Sequence, residues 1–222
     1  MRILYHQPLS PFSRKVRLAL KEKGLDFELR VERVWERRPE FLALNPAGQV
    51  PVMVEPDGKP YADSMAIVEF LDEVYPDRRL IGFDPESRAE TRRLVAWFDQ
   101  KFYAEVTLNL VFEKVNKRFY GLGNPDSGAI RVGKQLIGVH LDYIAELSER
   151  RRWLAGDEFG LADIAAASHL SCIDYLGDVP WDAHPRAKDW YVRVKSRPSF
   201  RPLLGDHVAG MPPPPQYADL DF

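Results

Sequence analysis

Apolar and polar positions in the first third of the chain change period repeatedly, and each change marks an element. Ile3-Leu4-Tyr5-His6 reads as a short strand. Beyond Ser10-Pro11, apolar residues return at helical spacing (Val16, Leu18, Ala19, Leu20) and stop at Gly24. Proline is tolerated at a first helical position, where its missing N–H is not needed, and glycine suits the residue just past a helix. Phe27–Val31 alternates as a second strand. Pro39–Leu44 reads as a short helix broken by Asn45-Pro46-Ala47-Gly48. Val50–Val54 is strand-like, and Glu55-Pro56-Asp57-Gly58 is a hairpin turn. Asp63 or Ser64 then caps an amphipathic helix carrying Ile67, Val68, Phe70 and Leu71, ended by Tyr75-Pro76. The order is βαβ followed by ββα, over residues 1–76.

After a polar linker, 77–85, only helical patterns remain, so residues 86–206 are expected to form an all-α domain. Leu94, Val95, Trp97, Phe98, Phe102, Val106, Leu110 and Val111 trace the apolar stripe of one long helix. Gly121 to Gly128 reads as a loop, and Ile130 to Arg152 as an amphipathic helix closed by three arginines. Leu161 to Leu176 is apolar nearly all round and is expected to be a buried central helix. Ala187 to Lys195 is a last helix before Arg197-Pro198, leaving a proline-rich acidic and aromatic tail, 207–222.

Composition narrows the class. Of 222 residues, 45% are hydrophobic and 29% charged, an ordinary globular balance. A net charge of -2 argues against a general nucleic-acid binder. Charges interrupt every apolar run before the ~20 residues a membrane helix needs, so no membrane insertion is expected. Arg2-Ile3-Leu4-Tyr5 enters a strand with no signal-peptide pattern, and the single Cys172 leaves no intrachain disulfide. A cytoplasmic protein is the expectation.

Candidate chemistry lies in Ser10-Pro11-Phe12-Ser13, Val50-Pro51 and Asp63-Ser64. Ser10 lies just before a helix whose first amides carry roughly half a positive charge. A thiolate placed there would be stabilised by that field and by the serine hydroxyl. A free thiol near pKa ~8.5 needs a depression of about two units to be mostly ionised at neutral pH, within reach of a helix N-terminus. The alternative is a plain helix cap. Proline within a strand run loses a ladder bond, so Val50-Pro51 reads either as a cis peptide or as an edge strand with a trans proline. Asp63-Ser64 can receive an anion at a helix N-terminus or serve only as a cap.

In this order and spacing, the three features resemble the glutathione transferase family over the whole chain. The resemblance implies a thioredoxin-like N-terminal domain followed by a helical domain, and a homodimer. It implies a glutathione site at Ser10, Phe12, Val50, Pro51, Asp63 and Ser64. Ser10 would activate the sulfur, Val50 would offer its backbone to the cysteinyl unit, and Asp63-Ser64 would hold the γ-glutamyl end, where glutamate is the commoner residue. Related redox proteins carry cysteines where Ser10 and Ser13 stand, which excludes dithiol exchange. No cofactor is required; glutathione is the possible ligand.

Phe159-Gly160-Leu161-Ala162-Asp163-Ile164 resembles the family's capping motif for its buried helix, with glycine in place of a Ser or Thr cap and Phe159 and Ile164 as a staple. It reads as a folding device. His140 and His169 are isolated on helices without ligand partners at metal spacing, and Cys172 reads as a small core residue. Arg150-Arg151-Arg152 either complements a helix dipole or forms a docking patch. Trp35, among Arg33, Arg37 and Arg38, is either an interface anchor or a flap over the ligand cleft.

Pro212 to Pro215 should form a stiff polyproline spacer of about 3.1 Å per residue. It would hold Tyr217, Asp219, Leu220, Asp221 and Phe222 away from the body for docking, or else the tail packs back on its own domain. With Val34–Phe41 and Arg93–Asp99, the tail resembles a narrower group of the family, the FtsZ-localized proteins of alphaproteobacteria. That implies a non-catalytic division protein that binds and organises FtsZ filaments at the division site; Trp35, Arg37, Arg38 and the tail are the candidate contacts. The alternative function is conjugation of glutathione to small electrophiles.

Overall fold

Strand β1 (Arg2–His6) lies inside a mixed sheet, and its Leu4 is fully buried there. The computed structural model describes residues 1–220. Around β1, the elements α1 (Pro11–Glu22), β2 (Phe27–Val31), α2 (Pro39–Leu44), β3 (Val52–Val54), β4 (Pro60–Ala62) and α3 (Ser64–Val74) follow in order. The sheet order is β2-β1-β3-β4, with β2 parallel to β1 and the other neighbours antiparallel. Leu4 stands opposite Leu29 on one side and Met53 on the other. β2 is an edge, and its exposed Glu28–Arg30 pair puts charge where an open ladder invites unwanted pairing. Arg2 ties this unit together, donating to Glu55 at 2.5 and 2.9 Å and to the Tyr75 hydroxyl at 2.9 Å.

β3 begins two residues later than the apolar run predicts, because Pro51 has no N–H to give a ladder. The Val50-Pro51 peptide before it is cis. Chain contacts group Met1–Leu80 as one unit, and a second begins at Ile81.

In the second unit, α4 (Pro85–Ala96) starts with a capping box between Asp84 and Ser87. It runs without a break through a π-helical stretch, Trp97–Asn116, into α5 (Lys117–Phe119). Phe98, Phe102, Val106, Thr107, Leu110, Val111 and Val115 of this stretch are buried.

Helix α6 (Ser127–Arg150) starts three residues before the predicted Ile130, because Asp126 caps it through Gly128 and Ala129 N–H groups at 2.7 and 3.2 Å. It also ends before the arginine run does. Arg151 leaves the helix to bond Glu90 at 2.6 Å and the Leu154 carbonyl at 2.9 Å, so only Arg150 lies in the last turn. Gly133 lets α6 approach the π-helical stretch, since a Cβ there would lie 2.8 Å from Asn109 Cβ. Helix α7 (Leu161–Tyr175) is buried along its whole length, as its all-round apolarity predicts. α8 (Pro185–Lys195) and a short α9 (Arg201–Leu204), which the pattern did not announce, complete the unit.

The tail does not stand off as a free spacer. Its proline run turns into a 3-10 turn, Pro215–Tyr217, and Tyr217 is completely buried in its own domain. Of the two expectations, packing back is the one observed. A large aromatic ring gains more by filling an apolar socket than by solvation. Asp221 and Phe222 lie outside the described residues.

Candidate functional site

Five of the six residues assigned to the thiol-peptide site share one cavity of about 270 Å³: Phe12, Val50, Pro51, Asp63 and Ser64. Local rules put each there. Pro11 opens α1 and fixes Phe12 in its first turn. The β3–β4 hairpin pairs Val52 with Ala62, which brings Asp63 and Ser64 to the same cavity as Val50 and Pro51. Among the described residues, no hydrogen bond to the Val50 backbone is present, so its polar groups can pair with an extended ligand.

Ser10 does not line that cavity. It caps α1, its hydroxyl oxygen accepting from the Ser13 N–H at 3.2 Å. The hydroxyl proton has no acceptor among the described residues and can be donated to a thiolate. Lys15 adds a cation 5.7 Å from the Phe12 ring centroid.

Asp63 is an exposed cap in an unfavourable conformation. Its φ of 72° lies in the left-handed region that non-glycine residues avoid, a strain that clusters at ligand sites. One carboxylate oxygen, Oδ1, accepts from Met65 and Ala66 N–H groups at 2.8 and 3.0 Å. Oδ2 makes no such bond among the described residues. Ser64 beside it is nearly buried at the first position of α3.

Sequence reasoning missed Asn45, Ala47 and Gln49, which also line the cavity. Asn45 folds its loop: its side chain donates to the Gln49 carbonyl at 2.8 Å and accepts from the Ala47 N–H at 3.2 Å. The available signal was the run Asn45-Pro46-Ala47-Gly48, read only as a helix stop. Gly48, with φ 66°, is required by that turn.

The residues proposed for partner contact fall in both units. Trp35 is half-buried in a 3-10 turn, Val34–Glu36, followed by Arg37 in the left-handed region at φ 47°. Arg38 grips buried Glu32 with two bonds, 3.2 and 2.5 Å, which gives it a structural task of its own. In the second unit Tyr217 is buried, Asp219 exposed and Leu220 half-buried. Tyr217 therefore cannot meet a partner from where it sits.

The histidines are not isolated. His140 accepts from the Trp97 indole at 3.0 Å through Nδ1 and so donates through Nε2 to Glu105 at 3.0 Å. Burial lowers its pKa to about 4. His169 bonds Thr107 at 3.0 Å and Asp99 at 3.3 Å. No cluster of three or more potential metal ligands is present among the described residues.

The glutathione S-transferase N-terminal domain matches residues 9–74, and the C-terminal domain of the same enzymes matches residues 133–198. The chain belongs to the glutathione S-transferase family. Within that family it is 49% identical to FtsZ-localized protein A of Caulobacter vibrioides, over 100% of this chain and 98% of the relative. The solved structure of FzlA from C. crescentus superposes with a TM-score of 0.96 at 49% identity, covering 100% of this chain and 99% of that one. A crystal structure of a glutathione S-transferase from Rhodospirillum rubrum F11 superposes with a TM-score of 0.98 at 58% identity, both chains covered completely. The transferase fold expected from the sequence is therefore the fold observed: a four-stranded thioredoxin-like domain and a helical domain.

Proposed function

We propose that this transferase-fold protein acts in cell division, binding and organising FtsZ filaments as a homodimer at the division site, without needing transferase chemistry. The full-length 49% identity to FtsZ-localized protein A carries this reading. Trp35, Arg37, Asp219 and Leu220 are the proposed contacts, with Asp221 and Phe222 following in sequence. Two copies would give a filament binder two grips and raise avidity without new contacts. Co-sedimentation with polymerised FtsZ tests it: deletion of residues 218–222 should abolish pelleting, and Ser10→Ala should leave it unchanged. Loss of pelleting in Ser10→Ala with retention in the deletion would reverse the assignment.

A second reading, conjugation of glutathione to electrophiles, is favoured by the cavity that gathers Phe12, Val50, Pro51, Asp63 and Ser64. Calorimetry separates the two. Binding at micromolar to low-millimolar glutathione, with conjugating activity that Ser10→Ala removes, supports the enzyme; no heat at several millimolar supports the scaffold.

A further inference from the structure

Tyr217 follows a run of four prolines, yet none of its surface is exposed. Its hydroxyl donates to the Leu203 carbonyl at 3.1 Å. Its ring meets Tyr175 edge-on, centroids 5.1 Å apart, and the Lys195 ammonium lies 5.9 Å from its centroid. The neighbouring backbone is held too, because Lys195 donates to the Gln216 carbonyl at 3.2 Å. Upstream, the Tyr175 hydroxyl donates to the Met211 carbonyl at 2.8 Å and accepts from the Val208 N–H at 2.9 Å. The tail is thus stitched to α7, α8 and α9 at several points before it becomes exposed again at Ala218 and Asp219.

Lys195 shows that the stitching is built in. Its side chain has no exposure, and its ion partner Asp174 lies 3.8 Å away. Asp174 is already engaged by the Trp181 indole at 2.9 Å and the Tyr191 hydroxyl at 3.2 Å. A buried ammonium is costly unless hydrogen-bonded, and the tail carbonyl supplies one of its acceptors. Burial pulls the Lys195 pKa down, while Asp174 and Asp219 oppose that pull.

We infer that Tyr217 is a positioning residue, an internal anchor that fixes where Ala218, Asp219 and Leu220 stand on the body, so that they meet a partner already placed. This rests on the FtsZ-binding reading given above. Pre-ordering an arm removes part of the entropy lost on association, so affinity falls when the arm is freed without any contact to the partner being removed.

Two variants of the full chain test the anchor against FtsZ polymer. Tyr217→Ala empties the socket. Insertion of Gly-Ser-Gly-Ser between Tyr217 and Ala218 leaves the socket filled and the fold untouched, and only uncouples the segment. Both should weaken co-sedimentation about tenfold or more. Amide exchange at 208–217 should rise in Tyr217→Ala and stay protected in the insertion variant. Wild-type affinity in the insertion variant overturns the anchor. If the intact chain does not pellet with FtsZ at all, the partner reading falls instead. The anchor is then decided by exchange alone: unchanged rates in Tyr217→Ala overturn it, and a rise confined to 208–220 sustains it.

Discussion

Asp63 and Asp163 both stand at the start of a helix and accept backbone N–H groups, but one site is left open and the other is closed. Asp63 is exposed, uses one carboxylate oxygen, holds a strained φ of 72° and borders a cavity. Asp163 is fully buried and accepts from the N–H groups of Leu154 and Gly160 at 3.0 and 3.2 Å and from the Trp190 indole at 2.9 Å. The same chemistry is therefore free to serve a ligand in the first unit and is committed to the fold in the second. What separates the two is how far protein atoms use the carboxylate: one oxygen at Asp63, both at Asp163. Ser10 and Val50 belong with the open group; His140, Lys195 and Tyr217 belong with the closed one.

The sharpest way to break this contrast is Asp163→Ala. It strands three buried donors, each worth about 1–3 kcal/mol when left unpaired, so stability should fall by at least about 3 kcal/mol in denaturant unfolding. A loss near 1 kcal/mol, the ordinary value of an exposed cap, would erase the distinction.

An intermediate effect concerns acid. His140 has a folded pKa of about 4, set first by burial, against ~6.5 when unfolded. Between those values the unfolded chain binds the proton and the folded one does not, so His140 makes stability fall as pH drops from about 6.5 through 4. Asp163 acts in the opposite sense: burial raises its pKa from 3.8 to about 6, so between those values it favours the folded form more as pH falls. His140→Gln keeps an acceptor for Trp97 and a donor for Glu105. Its stability should decline less than wild type between pH 6.5 and 4, and parallel curves would remove His140 from the account.

The smallest effect is expected at the open site. Asp63→Gly trades a cap for relief of the positive φ. Glycine replaces an N-cap at a cost of a few tenths of a kcal/mol, and the strain released is about 1 kcal/mol, so stability should hold or rise slightly. On the conjugation reading, where the cavity holds glutathione, its affinity by calorimetry should fall all the same. A stability loss above about 1 kcal/mol would make Asp63 a folding residue like Asp163.

Much of this was legible in the chain. Ser10, Asp63 and Gly160 announce helix starts because capping is decided within a few residues, and Gly24 announces a stop for the same reason. Phe12, Val50, Pro51, Asp63 and Ser64 were recognisable as one site only through a familiar spacing. Asn45 and Gln49 were not, since their place depends on how a loop lies against distant strands. The apolar stripe of Trp97–Asn116 announced a long helix, but nothing in its spacing announced the wider winding.

The sequence by itself determined the order of the main elements, the caps at Ser10, Asp63 and Gly160 and the buried character of α7, all of which follow from hydrogen bonding and apolar periodicity between near neighbours. Only the tertiary structure decided which polar groups are finished by protein and which await something else, and that Tyr217 turns inward. Those outcomes depend on residues such as Lys195, Tyr175 and Leu203, far away in the chain, and burial is a property of the packed whole rather than of any local run.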